Sequence, residues 1–286
     1  MAHDAPRLVR VGHSPDPDDA FMFYGIECGE VETEGFHIEQ VLEDIESLNR
    51  RALRSELEVS AVSIHAYAHF ADRYALMSCG ASMGDGYGPL VVAREPLNLD
   101  QLATRTVAVP GTMTSAFLAL RLALGRFEHR VMPFDRILQT VAEGRADAGL
   151  IIHEGQLTYS RHGLHKVLDL GVWWAERTGG LPLPLGGNVV RKDLGDRTMR
   201  VLTRILRDSI RYGLEHREPA LEYALGFGRG LDAPLANRFV GMYVNELTRD
   251  YGERGRSAIT RFLEQGSAAG IVPRAPDVEF VVPDTR

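Results

Sequence analysis

Reactive and polar side chains gather in this chain where a strand pattern gives way to a helix pattern. Gly149-Leu150-Ile151-Ile152-His153-Glu154 ends a very apolar run on a titratable pair. An imidazole titrates near neutrality, so a histidine at the open end of a buried strand is a usable proton acceptor. The plainer alternative is a ring satisfied by a backbone carbonyl. Gly12-His13-Ser14-Pro15-Asp16-Pro17-Asp18-Asp19 joins another strand to a helix start, a place where open α/β sheets bind ligands. Ser14 and the helix-start N–H groups suit a polar ligand; the alternative is a proline-rich turn with Asp18 as N-cap. Val109-Pro110-Gly111-Thr112-Met113-Thr114-Ser115-Ala116 repeats the construction. Free N–H groups, the helix dipole and the hydroxyls of Thr114 and Ser115 would cradle a carboxylate or phosphate. Ordinary capping by Thr112 or Thr114 is the alternative. The segment has too few glycines for a Walker-type loop.

Other chemistries find less support. His13, His65, His69, His162 and His165 share no zinc spacing, and Cys28 and Cys79 lie far apart in no metal or redox pattern. The cysteines read as reduced structural thiols, and Trp173 and Trp174 as packing. No nucleophile elbow occurs. Acids outnumber Lys and Arg by 39 to 32, giving a net charge of -7 without charged blocks. A general attraction to nucleic acid or anionic membrane is therefore not expected. Hydrophobic residues at 44% and charged residues at 25% are ordinary for a globular protein. No apolar run approaches the length of a bilayer span. The start carries charges and prolines where a secretion signal needs an apolar stretch. The expectation is a cytoplasmic protein that holds a small-molecule carboxylate or phosphate, with no nucleic-acid or membrane partner.

A chain of 286 residues predicts two domains. Strand and helix patterns alternate through the first half, which predicts an α/β protein. Strands are expected over RLVRVGHS, FHIEQVLED, LEVSAVSI, YALMSCG and GPLVVAR, and the pattern restarts after Glu95. TVAVPG, VMPF, GLIIHE and HKVLDLG give further strands, PLPLGGNVV a return strand, and the remainder from Leu194 is helical. The expected arrangement is a larger domain of residues 1–93 plus 187–286 and an inserted smaller α/β domain of residues 94–186. Two crossings of this kind make a hinge, and the cleft between the domains is the natural ligand site. The architecture resembles the type II periplasmic-binding-protein fold with a helical C-terminal region.

Several stretches together resemble the futalosine-pathway menaquinone-biosynthesis enzymes, nearer to the 1,4-dihydroxy-6-naphthoate synthase branch than to chorismate dehydratase. They are SPDPDDAFMFYGI (14–26), VLEDIESLNRRAL (41–53), VSIHAYA (62–68), GYGPLVVAR (86–94), AVPGTMTSAFL (108–118), GLIIHEGQLTY (149–159), DLGVWWAERTGGLPLPLG (169–186) and YVNELTRDYGERG (243–255). GLIIHE with the downstream PLPLG is the most specific part. The resemblance implies a cytoplasmic lyase that needs no metal or redox cofactor. The synthase opens cyclic dehypoxanthinylfutalosine and expels a fragment to give the dihydroxynaphthoate; the dehydratase removes water from chorismate. Both reactions need a base in a dry cleft and a grip on a carboxylate. By resemblance the proton acceptor falls on His153, helix-start ligand contacts on Ser115 and Ala116, and a further binding segment on Val59, Ser60 and Ala61. The synthase pattern reads Ser-Pro-Cys-Pro-Asn-Asp where this chain has Asp16 and Asp18.

Overall fold

The computed structural model describes residues 7–227 and 232–284. The first six residues, part of the start read for a secretion signal, lie outside it, as do Gly228, at the end of an expected helix, and the last two residues. The chain opens with β1 (Arg7–His13), α1 (Pro17–Glu27), β2 (Phe36–Leu42), α2 (Ile45–Ala52), β3 (Val59–Ser63), α3 (Ile64–Tyr67), β4 (Tyr74–Met77) and β5 (Ser82–Gly84). It then passes to a second sheet through β6 (Leu90–Ala93), α4 (Leu99–Ala103), β7 (Val107–Val109), α5 (Ser115–Leu124), β8 (His129–Val131), α6 (Ile137–Ala142), β9 (Ala148–Ile151), α7 (Gly155–Thr158) and β10 (His165–Asp169). After α8 (Leu170–Thr178), β11 (Leu183–Arg191) re-enters the first sheet. The helices α9 (Asp196–Glu215), α10 (Arg217–Leu225), α11 (Ala233–Tyr243), α12 (Glu246–Arg249) and α13 (Gly252–Ala268) follow, and β12 (Phe280–Val281) closes the order.

The first sheet runs β12-β4-β11-β3-β1-β2, with β5 on the outer part of β11. Around β1 the strands are parallel, while β11 is antiparallel to β3 and β4. The second sheet runs β10-β6-β9-β7-β8. In each sheet the strand-to-helix junctions at the carboxyl ends of the central parallel strands, β1–α1 and β7–α5, are where such sheets bind ligands. Helices α9, α10 and α11 cover α1 on the first sheet, and Ser209 Oγ of α9 donates to the Met22 carbonyl at 2.7 Å. Long α13 lies along β11 and also reaches α5. A single apolar cluster joins the sheets, from Val62 and Val189 through Leu183, Trp174 and Phe262 to Val91, Val107 and Leu118.

The sheets change a few residues earlier than the sequence punctuation suggests. With a boundary after residue 93, β6 would belong to the first sheet, yet it pairs with β9 and β10, and Leu183–Gly186 already pair with the first sheet. The crossings are therefore residues 85–89 and the α8 segment before Leu183. Here the two connections touch: Leu170 N–H donates to the Pro89 carbonyl at 3.0 Å. A Cβ on Gly171 would sit 1.8 Å from the Tyr87 carbonyl oxygen, and one on Gly88 2.7 Å from the Gly171 nitrogen. Only glycine permits backbones this close.

Candidate active site in the interdomain cleft

A cavity enclosing about 710 Å³ of space, part of it open to solvent, lies between the sheets. Ser14, Asp18 and Asp19 line it from the first junction, Thr114, Ser115 and Ala116 from the second, and His153 and Gln156 from the segment after β9. Ala61, Val62 and Ser63 of β3 and Leu185–Asn188 of β11 form another wall, and Phe239 and Tyr243 of α11 cover it.

His153 reaches this cavity by a different route from the one the apolar run implies. β9 stops at Ile151, and His153 sits beyond it with φ of 55°, a left-handed conformation uncommon for a side-chain-bearing residue. Strand alternation therefore does not orient the His153–Glu154 pair, although the cavity wall does include His153 and not Glu154. The ring is largely buried, packs against Phe134 at 4.7 Å between centroids, and places Nδ1 3.2 Å from Asp16 Oδ2.

The first junction concentrates acid. Pro17 opens α1, Asp16 stands at its N-cap without capping it, and Asp16, Asp18 and Asp19 are all buried. Ser14 N–H donates to Asp19 Oδ2 at 2.8 Å, and Ser14 Oγ lies 2.7 Å from Asp16 Oδ2 and 2.6 Å from Asp19 Oδ2. The Ser14 hydroxyl is thus engaged by carboxyl groups. Burial pushes the Asp18 carboxyl well above the usual carboxylate range, and the neighbouring Asp19 and Asp16 push the same way. Burial raises Asp19 as well, opposed by His13 and by the Ser14 hydrogen bonds. Asp18 Oδ1 and Asn188 Oδ1 are buried with no hydrogen-bond partner among the described residues. His13 is core rather than site: it stacks on Phe23 at 4.4 Å, with its ring nitrogens on the Ser14 carbonyl and Gln40.

The second junction is free of acid in its first helical turn. Thr114 caps α5, accepting from Phe117 N–H at 3.2 Å and donating to the Gly111 carbonyl. The Ser115 hydroxyl accepts from His65 N–H at 3.1 Å and donates to the Leu185 carbonyl at 2.5 Å, so it ties α5 to the first sheet. What this junction offers a ligand is the pair of backbone N–H groups at Ser115 and Ala116 that open the helix, a favourable site for an anion. His65 beside it is buried, and burial lowers its pKa to about 4.

Ser14, Ala61, Thr114, Ser115, Ala116 and His153 therefore meet in one cavity. Val59 and Ser60 do not reach it. Val59 packs in the core beneath α1 and α9, and Ser60 Oγ turns back to the Ala61 carbonyl at 3.0 Å. Asp16, Gln156 and Tyr243 were not singled out as site residues from sequence. Tyr243 donates to Gln156 Oε1 at 2.9 Å, joining α11 to α7 across the cleft. The acidic run SPDPDD at a strand end was the one signal available for Asp16; the Tyr243–Gln156 contact has none. Among the described residues no group of three or more His, Cys, Asp or Glu is arranged to hold a metal ion, and no helix is long and apolar enough to cross a membrane.

Comparison with known proteins agrees with this architecture. A crystal structure of a protein from Archaeoglobus fulgidus superposes with a TM-score of 0.89 at 47% identity, covering 95% of this chain and 100% of that one. The ligand-binding component of an ABC-type import system from Staphylococcus aureus superposes at 0.70 with 13% identity, covering 97% of each chain. The alkanesulfonate-binding protein from Xanthomonas axonopodis does so at 0.71 with 11%, covering 95% of this chain and 96% of that one. The fold is thus periplasmic-binding-protein-like. The 1,4-dihydroxy-6-naphthoate synthase of Thermus thermophilus is 44% identical over 96% of this chain and 99% of its own. That of Streptomyces coelicolor is 38% identical over 93% and 95%. A family model described as menaquinone biosynthesis matches residues 9–268, and the chain belongs to that family.

Proposed function

We propose that the protein is a cytoplasmic lyase of menaquinone biosynthesis that converts cyclic dehypoxanthinylfutalosine to 1,4-dihydroxy-6-naphthoate. The observation that carries this reading is the meeting, in one cleft, of a carboxylate-paired imidazole and an acid-free helix start. The substrate's carboxylate binds the Ser115 and Ala116 N–H groups, and Thr114 keeps that turn in shape. Ala61 and the neighbouring β3 residues bound the ring. His153 takes the proton whose loss starts the fragmentation, and the closed cleft keeps bulk water from competing for it. Ser14 serves the site through the acids that it holds. Val59 and Ser60 contribute only by shaping β3.

The same geometry weighs against the dehydratase branch. Chorismate carries two carboxylates, and beyond the α5 terminus the described residues that line the cavity include Asp18 and Asp19 but no Lys or Arg to pair a second one. Incubation of the purified protein with cyclic dehypoxanthinylfutalosine and, separately, with chorismate tests the reading by absorbance of the aromatic product. Turnover of the first alone is expected. Turnover of chorismate alone would move the chain to the dehydratase branch, and tight binding of either without turnover would make it a binding protein.

A further inference from the structure

Ser14 Oγ lies within hydrogen-bond reach of both Asp16 Oδ2 and Asp19 Oδ2. Ser14 therefore joins Asp16 and Asp19 in one buried cluster, with its backbone N–H also on Asp19 Oδ2. Ser14 ties the Asp16 carboxyl to Asp19, and Asp16 Oδ2 faces His153 Nδ1 at 3.2 Å.

We propose that Asp16 is the positioning residue of His153: its carboxylate accepts the Nδ1–H bond, fixes that tautomer and leaves Nε2 as the basic nitrogen, while Ser14 and Asp19 hold Asp16 in place. The left-handed backbone at His153 agrees with this role, since such a conformation persists where the surroundings over-determine it. Asp16 at the ring edge and Phe134 at its face supply that constraint. Asp16 is itself 1% exposed, so its contact with the imidazole is shielded from competing water. In its catalytic consequence the proposal rests on His153 being the base; in its structural half it does not.

The test uses the full chain labelled with 15N-histidine, near pH 8, above the ordinary imidazole titration at about 6.5. His153 is assigned by loss of its resonances in His153→Asn. The wild type is expected to show the Nδ1–H tautomer at His153, and Asp16→Ala to lose that bias. Asp16→Asn keeps the shape and removes the charge. In steady-state kinetics on cyclic dehypoxanthinylfutalosine, Asp16→Ala is expected to lower kcat by roughly 100-fold, with KM changed less than about threefold. A purely structural role would leave the tautomer unmoved. An Nε2–H tautomer in the wild type, or an unchanged one in a folded Asp16→Ala, overturns the proposal. So does near-normal kcat in both Asp16 variants when His153→Asn is inactive. Should His153→Asn stay active, the base reading falls, and the tautomer measurement alone decides whether Asp16 holds the ring.

Discussion

The two strand-to-helix junctions facing the cleft share a backbone plan and differ in charge. At β1–α1 the first helical turn contains Asp18 and Asp19, with Asp16 at the cap. At β7–α5 the first turn contains no acid, and Thr114 does the capping. A helix N-terminus ordinarily favours a carboxylate by about 0.3–1 kcal/mol. At the first junction that benefit is outweighed, since burial and mutual repulsion leave Asp18 and Asp19 reluctant to ionise. At the second junction the Thr114 side chain engages only the Phe117 N–H, so the Ser115 and Ala116 N–H groups stay available to a bound anion. One plan thus yields an acid-rich end and an acid-free end, which the proposed function uses for handling a proton and for holding an anion, and side chains at a handful of positions decide which is which.

The sharpest way to break this division is at the proton-handling end. His153→Asn keeps size and hydrogen bonding but removes the basic nitrogen. Turnover should fall about 10²–10⁴-fold while substrate still binds, as read by steady-state kinetics and calorimetry. At the anion-holding end, Ala116→Pro removes one N–H in the first turn, where helices tolerate proline. A lost bond to a charged group costs about 1.5–3 kcal/mol, so substrate affinity should drop roughly ten- to hundredfold. An unchanged affinity would move the carboxylate elsewhere.

Ser115→Ala separates holding the ligand from holding the junction. It strands the His65 N–H and the Leu185 carbonyl, so urea denaturation should show a loss of about 1–3 kcal/mol. Affinity should change less than in Ala116→Pro.

The smallest effects are opposite pH slopes. Asp18 is raised in the folded protein, so the native state holds its proton more tightly than the unfolded chain does. Its contribution is full in acid, below the ordinary value of about 4, and is lost as pH rises. His65 is lowered to about 4, so its contribution is full above about 6.5 and is lost as pH falls through about 4. Thermal melts across pH should therefore show Asp18→Asn gaining on the wild type toward alkaline pH. His65→Gln should flatten the acid limb.

Much of the architecture is legible because each element depends on neighbours in sequence. β-rich runs, the Pro17 helix start and the Thr114 cap are local features, and local features placed Ser14, Ala116 and His153 at strand ends. The His153–Asp16 contact is not local. It depends on how β9 and β1 face each other across the cleft and on a left-handed residue that no periodicity encodes. For the same reason strand alternation cannot assign sides to His153 and Glu154: β9 has already ended. Val59 and Ala61 lie on the same face by alternation, yet only Ala61 reaches the cavity, because Val59 lies farther down the strand under α1. The chain leaves the first sheet before β6, at a close backbone approach that Gly88 and Gly171 permit.

That crossing also governs how the molecule can move. Two separate tethers would let the halves twist, slide and rock. Here the tethers are pressed together at Gly88 and Gly171 and pinned by the Leu170–Pro89 hydrogen bond. Tethers joined in this way add to the apolar cluster that spans both sheets, and so help to keep the walls that carry Asp16 and His153 in register.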